Sequence, residues 1–373
     1  MGANLADNQL LIDRYRVIKY LNAGGMQEVY LCEDIKLGRR VVAKTPKGGV
    51  ADKRFRRGAE MSARINHHNI AATFDYYESP GLIFMIEEFV EGLDLQKRLA
   101  EEFDCLDPSL AAHVIHNIVR ALHEAHSRQI CHRDLKPSNI MTSPDASMSI
   151  IKLTDFGIAK LAENELEAEM AEFERDESTL TNSNTLLGAV PYMAPEAWSN
   201  WRGAGQSLDI WALGCIAYQL VTGQLPFGSG RSAIMAVAKL ENIGVVDLPD
   251  PPMFGRSPVT KALEDDILNL IARCLKVNPA DRPQAVELLE ICGRWRYGVG
   301  PRRIGTIASY GIPYFGGGKS KTGYIRDQVE ETQYFYHLSE YYGTGTPVVG
   351  ARVCLGVYPG DPYSRAAPVL RLK

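Results

Sequence analysis

Apolar and polar positions along this 373-residue chain change their spacing several times, and each change predicts a different element. Over residues 15 to 42 the apolar residues come in short runs. Arg16-Val17-Ile18-Lys19-Tyr20-Leu21 leads into Asn22-Ala23-Gly24-Gly25-Met26-Gln27, and Glu28-Val29-Tyr30-Leu31 returns, which predicts three strands with a glycine turn. Residues 53 to 65 predict a helix, and 83 to 92 a strand that runs into a polar connection. Leu110, Val114, Ile118, Leu122 and Ala125 then recur at helical spacing, so a buried helix is predicted over 110–128. Residues 150 to 153 read as a short strand, and 209 to 220 as a strongly apolar helix. Near the end, 325–342 predicts a helix, while Val349, Ala351, Val353, Leu355 and Val357 alternate as a strand.

Composition narrows this only a little. The length exceeds one typical domain and favours a body with an appendage. A net charge of −4 and 45% hydrophobic residues give no reason to expect nucleic acid or a membrane surface as partner. No apolar run approaches the roughly 18 residues needed to cross a bilayer. The N-terminus lacks a basic-then-apolar signal. Seven scattered cysteines, odd in number and without a C-x-x-C pair, are expected to be reduced thiols in the cytoplasm. After Trp295 the chain turns rich in Gly, Tyr and Pro, which marks a boundary; the tail resembles no family, and is expected to pack on the preceding body or to bind a partner.

The chemistry is concentrated in Cys131-His132-Arg133-Asp134-Leu135-Lys136-Pro137-Ser138-Asn139-Ile140, between two apolar segments. Thr154-Asp155-Phe156-Gly157 follows the strand at 150–153. Two acids are thereby presented on loops at the ends of regular elements, where reactive groups are well held. The order His-Arg-Asp-Leu-x-x-x-Asn, then Asp-Phe-Gly, then Ala194-Pro195-Glu196, is that of protein-kinase catalytic and metal-binding loops. The chain resembles the eukaryotic-like (Hanks-type) serine/threonine protein kinases of bacterial style over residues 10 to 298. That resemblance implies an α+β, bilobed fold: a β-rich small lobe over 1–91, a helical large lobe over 92–298, and a C-terminal extension over 299–373.

It also implies roles. Asp134 would accept the proton of a substrate hydroxyl, and Lys136 would neutralise charge on the phosphoryl group in transit. Lys136, rather than the Ala-Ala-Arg of tyrosine kinases, implies serine or threonine substrates. Asn139 and Asp155 would bind Mg2+, a hard cation that takes oxygen ligands. Gly24, Gly25, Val29, Ala43, Lys44, Glu88 and Val90 would line the ATP site, with Val41-Val42-Ala43-Lys44 matching the V-A-I-K strand and 88–90 as the hinge. Asp209 would hold the catalytic loop from below, Glu196 would pair with Arg282, and His132 and Phe156 would be packing residues. Protein substrates are the implied partners, and autophosphorylation an implied activity.

Several positions depart from the family pattern. Only Gly24 of the three G-x-G-x-x-G glycines is kept, with Asn22 and Gln27 replacing the outer two. The glutamate that pairs with the lysine should fall nine residues before His67, where this chain has Gly58; Glu60 is two positions on and faces the other way. Either the register shifts, or the pair is made differently or not at all. Glu87 occupies the normally apolar gatekeeper position, and one arrangement would relieve both oddities: Glu87 as partner of Lys44. Ala189 replaces a threonine whose hydroxyl would bridge Asp134 and Lys136. Together these keep a second reading open, a pseudokinase-like nucleotide-binding or scaffold module. His113, His116, His123 and His126 on one helix lack a carboxylate motif and are expected to be structural rather than metal ligands. The acidic run over 163–177 is expected to be a solvated segment or an activation device, and Thr185 an autophosphorylation site whose charge Arg133 would receive. Gly316-Gly317-Gly318-Lys319-Ser320 lacks the first glycine of a phosphate loop and reads as a turn.

Overall fold

The computed structural model describes residues 5–23, 27–47, 53–156, 188–200, 204–314, 318–360 and 364–373. Gly24, Gly25, the acidic run over 163–177, Thr185 and the glycines at 316 and 317 therefore lie outside the described residues.

The first part of the chain forms a six-stranded sheet from β1 (Leu10–Leu11), β2 (Tyr15–Ala23), β3 (Gln27–Asp34), β4 (Arg39–Pro46), β5 (Thr73–Ser79) and β6 (Leu82–Glu88), ordered β1-β2-β3-β4-β6-β5. Its interior is built from Tyr15, Val17, Tyr30, Cys32, Val41, Ala43, Phe84 and Ile86, the inward halves of alternating strands. Helix α1 (Lys53–Ser62) packs Phe55 and Ala59 on Ile83 and Met85. It stops three residues short of the expected 65; Ala63, Arg64 and Ile65 wind off it in a final turn of backbone hydrogen bonds.

A short connection leads to β7 (Leu93–Asp94) and α2 (Leu95–Glu101). Gly92 in that connection has φ of 135°, and a Cβ there would sit 2.0 Å from Thr142 O, so only glycine passes. α3 (Pro108–Ser127) follows, capped by Asp107, whose Oδ1 accepts from Ser109 N and Leu110 N. Leu110, Val114, Ile118, Leu122 and Ala125 are all fully buried, as their spacing predicts. Two short strands, β8 (Ile140–Thr142) and β9 (Ile151–Leu153), frame the candidate chemistry and pair with each other. The remaining α-helices among the described residues are α4 (Pro195–Asn200), α5 (Ser207–Thr222), α6 (Gly230–Ile243), α7 (Lys261–Cys274) and α8 (Ala285–Arg294). They surround α3 and α5 with one continuous apolar core. Bilobed and α+β, the architecture is the one expected.

The C-terminal part corrects the expectation most. Residues 325–342 form strands and one short 3-10 turn at Leu338–Glu340 in place of the expected helix. After β10 (Arg303–Tyr310) and a small hairpin of β11 (Pro313–Tyr314) and β12 (Gly318–Lys319) come β13 (Thr322–Asp327), β14 (Gln333–His337) and β15 (Tyr341–Tyr342). Burial along β13 and β14 alternates strictly, with Ile325, Tyr334 and Tyr336 inward, and the aromatic content suits a pleated surface better than a helix. Asp327 makes the turn between them by accepting from Val329 N and Glu330 N. The alternating stretch at the end is β16 (Arg352–Tyr358), which begins later than expected and leaves Val349 exposed; β17 (Arg365–Arg371) closes the set. Their order is β14-β13-β10-β16-β17-β15, and β14 also pairs in parallel with β17, so the sheet curls onto itself and protects its edges.

This extension packs on the large lobe. Tyr342, Cys354, Leu370 and Leu372 join the large-lobe core. Arg302 forms a two-pronged pair with Asp107 at 2.6 and 2.9 Å. Phe103 bridges Leu372, Lys373 N donates to Glu102 O, and Lys373 Nζ donates to Leu99 O and Ala100 O at the end of α2.

Candidate active site

The catalytic-loop candidate runs from the end of α3 into β8. Arg133 takes a left-handed backbone with φ of 65°, unfavourable for a side-chain-bearing residue. Asp209, buried near the start of α5, holds it there. Asp209 Oδ1 accepts from Arg133 N at 2.7 Å, and Oδ2 accepts from His132 N at 2.8 Å and bonds His126 Nε2 at 2.8 Å. Burial alone would push the Asp209 carboxyl up, but the imidazole and backbone partners outweigh it and hold the carboxyl below its ordinary range.

On this support Asp134, Lys136 and Asn139 come together. Lys136 Nζ lies 2.9 Å from Asp134 Oδ2. Asn139 Nδ2 donates to Asp134 O at 2.7 Å and to Asp134 Oδ2 at 3.1 Å. With its nitrogen committed to Asp134, the amide oxygen is the atom that Asn139 offers to a cation. A carboxylate, an ammonium and an amide are thus locked in one hydrogen-bonded unit, held by the chain turn at Pro137–Asn139.

Asp155 follows β9, also with a left-handed backbone, φ 64°. Its Oδ1 accepts from Lys44 Nζ at 2.8 Å and from Gln27 Nε2 at 2.7 Å. Burial pushes this carboxyl up, and Lys44 more than reverses the effect, so it is held below its ordinary value. The carboxylate and amide oxygens of Asp155 and Asn139 are the hard donors that a magnesium ion takes, with phosphate and water completing its shell. Among the described residues no group of three or more His, Cys, Asp or Glu could hold a metal. Three of the four histidines on α3 have partners within the protein: His113 bonds Met148 O, His116 bonds Tyr297 Oη, and His126 bonds Asp209.

Lys44 sits on β4 opposite Val29 of β3, buried to 4% exposure, with Ala43 beside it in the sheet core. Burial favours its neutral form, but the Asp155 and Glu87 carboxylates overcome that and raise its pKa. Glu87 Oε2 makes a direct ion pair with Lys44 Nζ. The Glu87 carboxyl is itself raised by burial despite Lys44, as expected for the weaker of two acids sharing one ammonium. The expected pairing of the two oddities is therefore what the structure contains. Gly58 lies buried on α1, and Glu60 points outward to Arg56 at 3.0 Å.

At the connection between lobes, Glu88 N donates to Ala72 O, and the Glu88 carboxylate pairs with Lys152 at 2.8 Å; Val90 is buried beside them. His132 and Phe156 are buried with ring centroids 4.6 Å apart, a packing pair. Glu196 binds Arg282 Nη2 at 2.8 Å and fastens α4 to the segment before α8. The Gln27–Asp155 contact was not foreseen, because residues 128 apart in sequence give no pairing signal. Gln27 was legible only as the replacement of a glycine.

Residues 15–291 match the family model described as protein kinase domain. The chain is 32% identical over 282 residues to "Serine/threonine-protein kinase PrkC" of Bacillus subtilis, covering 74% of this chain and 39% of that protein. It is 36% identical over 271 residues to "Probable serine/threonine-protein kinase PknB" of Lactococcus lactis, covering 70% and 40%. To "Serine/threonine-protein kinase PknB" of Mycobacterium leprae it is 30% identical over 287 residues, covering 74% and 41%. The chain thus spans less than half the length of these curated relatives.

Proposed function

The chain belongs to the protein kinase family, and on that premise we propose that it transfers the γ-phosphoryl group of Mg·ATP to serine or threonine hydroxyls of proteins, itself included. The observation that carries this is the Asp134–Lys136–Asn139 unit, a base, a charge-neutralising cation and a metal-ligand amide fixed in one constellation.

In this reading the Asp134 carboxylate orients the substrate hydroxyl and takes its proton as the oxygen bonds to phosphorus and ADP departs. Lys136 offsets charge on the phosphoryl oxygens in transit. Lys44 holds the ATP phosphates, while Gly24, Gly25, Val29, Ala43, Glu88 and Val90 enclose the nucleotide. Asn139 and Asp155 would hold magnesium, which would supply charge neutralisation at the phosphates. Lys136 in place of a tyrosine-kinase pattern, and the names of the relatives, favour serine and threonine.

We place the lobes at 1–91 and 92–298 and an appended unit at 299–373, whose outer face is available to a protein partner. The seven free cysteines suit a reducing compartment, so the cytoplasm is the proposed location.

A second reading, a nucleotide-binding or scaffold module with little phosphotransfer, draws on Gln27, whose amide lies on the candidate metal acid, and on Ala189. The test is to incubate purified protein with labelled Mg·ATP and a generic protein acceptor, beside Asp134→Asn. Label in the wild type alone supports the kinase; equal absence in both supports the module.

A further inference from the structure

We propose that Glu87, on a strand, is the positioning residue for Lys44, so that the site lysine is set by the sheet itself and not by helix α1. The inference rests on the reading that this site takes Mg·ATP. Strands β4 and β6 are antiparallel neighbours in which Val42 faces Glu87 and Lys44 faces Met85. Glu87 is therefore two residues along from the direct partner of Lys44, on the same face of the sheet. That diagonal is within reach of long side chains. Both groups are buried, at 4% and 3% exposure, and their ion pair is direct. α1 carries a single acid, Glu60, which is exposed and engaged with Arg56. It contributes no carboxylate to Lys44.

Lys44 has two carboxylates, and they have different duties. Asp155 is the candidate metal ligand and must turn its oxygens to a cation when one binds. Glu87 has no such second task. A lysine held only by Asp155 would compete with the cation for that acid and, when it lost, would be left buried without a partner, which is costly. Glu87 removes the conflict by keeping Lys44 compensated throughout. Because β4 and β6 pair over the very stretch that carries the two groups, from Val41 opposite Glu88 to Lys44 opposite Met85, the lysine keeps its place whatever α1 does.

Two measurements test this. The first uses nucleotide-free protein: urea unfolding of Lys44→Met, Glu87→Met and the double variant. The double variant is expected to lose less stability than the two single losses added; strictly additive losses overturn the pair. The second is the Kd for Mg·ATP by calorimetry. Glu87→Gln is expected to bind roughly 10- to 100-fold more weakly, as for a lost charged hydrogen bond, and Glu87→Asp to recover part of that. Glu60→Gln is expected to match wild type. Wild-type affinity in Glu87→Gln, or an equal loss in Glu60→Gln, overturns the proposal. Should Glu87→Gln fail to fold, Glu87→Met, which buries no polar group, carries the same decision. A wild type that binds Mg·ATP and transfers no phosphate defeats the kinase reading and leaves this one standing.

Discussion

Arg302 and Asp107 form a buried, two-pronged ion pair, with side chains 3% and 1% exposed, between the start of the C-terminal sheet and the cap of α3. Burial would lower the pKa of Arg302, but Asp107 outweighs it, so the guanidinium stays charged. Removing one partner strands a buried charge, at a cost of about 3–5 kcal/mol. Arg302→Met is expected to lose that much in urea unfolding. Asp107→Ala should lose about 1 kcal/mol more, because Asp107 also caps α3. Near-neutral results for both would show that the extension is only loosely seated.

Asp209 is expected to be required for the catalytic loop without touching substrate. Asp209→Asn keeps one acceptor oxygen but turns an amide donor toward the other of the two N–H groups of His132 and Arg133, and a buried group left unsatisfied costs about 1–3 kcal/mol. Arg133 then has less reason to keep its left-handed backbone, and Asp134 shifts with it. Phosphotransfer should fall by at least tenfold while the Kd for Mg·ATP changes little. Parallel loss of both would mean a global defect.

The two site acids should separate cleanly. Asp134→Asn is expected to lower phosphotransfer by roughly 10²–10⁴, the usual worth of a general base, with nucleotide binding retained. Asp155→Asn should lose phosphotransfer and also the magnesium dependence of nucleotide affinity. Calorimetry of each variant with ATP, with and without Mg2+, makes the comparison.

Much of this site was legible because its chemistry needs residues close in sequence: Asp134, Lys136 and Asn139 span six positions, and the spacing alone binds them into one loop. Gly58 and Glu87 were legible as a pair of anomalies, an acid missing from one place and present in another, and setting them together pointed to Glu87 as the partner of Lys44. Asp107-Pro108 carried a readable helix-start signal, a cap followed by proline at the first turn, that the apolar spacing from Leu110 obscured. Gln27 on Asp155 and Arg302 on Asp107 were not legible, since contacts across 128 and 195 residues depend on the assembled fold. Residues 325–342 misled because Tyr334, Tyr341 and Tyr342 lie at helical spacing, while Tyr336, two positions from Tyr334, fits only a strand face.

His116 gives a pH dependence of stability. Burial, with Arg120 and His113 adding to it, lowers its pKa from 6.5 to about 4. It is therefore neutral in the folded state and bonded to Tyr297 Oη. Below pH ~6.5 the unfolded chain takes up a proton that the folded one refuses until pH ~4, so stability falls as pH drops through that window. The slope from this one group is at most about 1.4 kcal/mol per pH unit. His116→Gln should flatten the dependence between pH 6.5 and 4 in urea titrations, leaving any loss below pH 4 in place.

The seating of Lys373 against α2 also has a consequence in time. Its ammonium satisfies carbonyls of Leu99 and Ala100, a contact spanning 274 positions for Leu99. At roughly 5–20 residues per second on a ribosome, α2 waits about 14–55 s after its own synthesis for that partner. Through that interval Phe103 lacks Leu372, its bridge partner, as a cover. The large lobe is thus expected to be sticky while it is being made, and a chaperone that shields the α2–α3 junction would act on the nascent chain and have no target on the finished one.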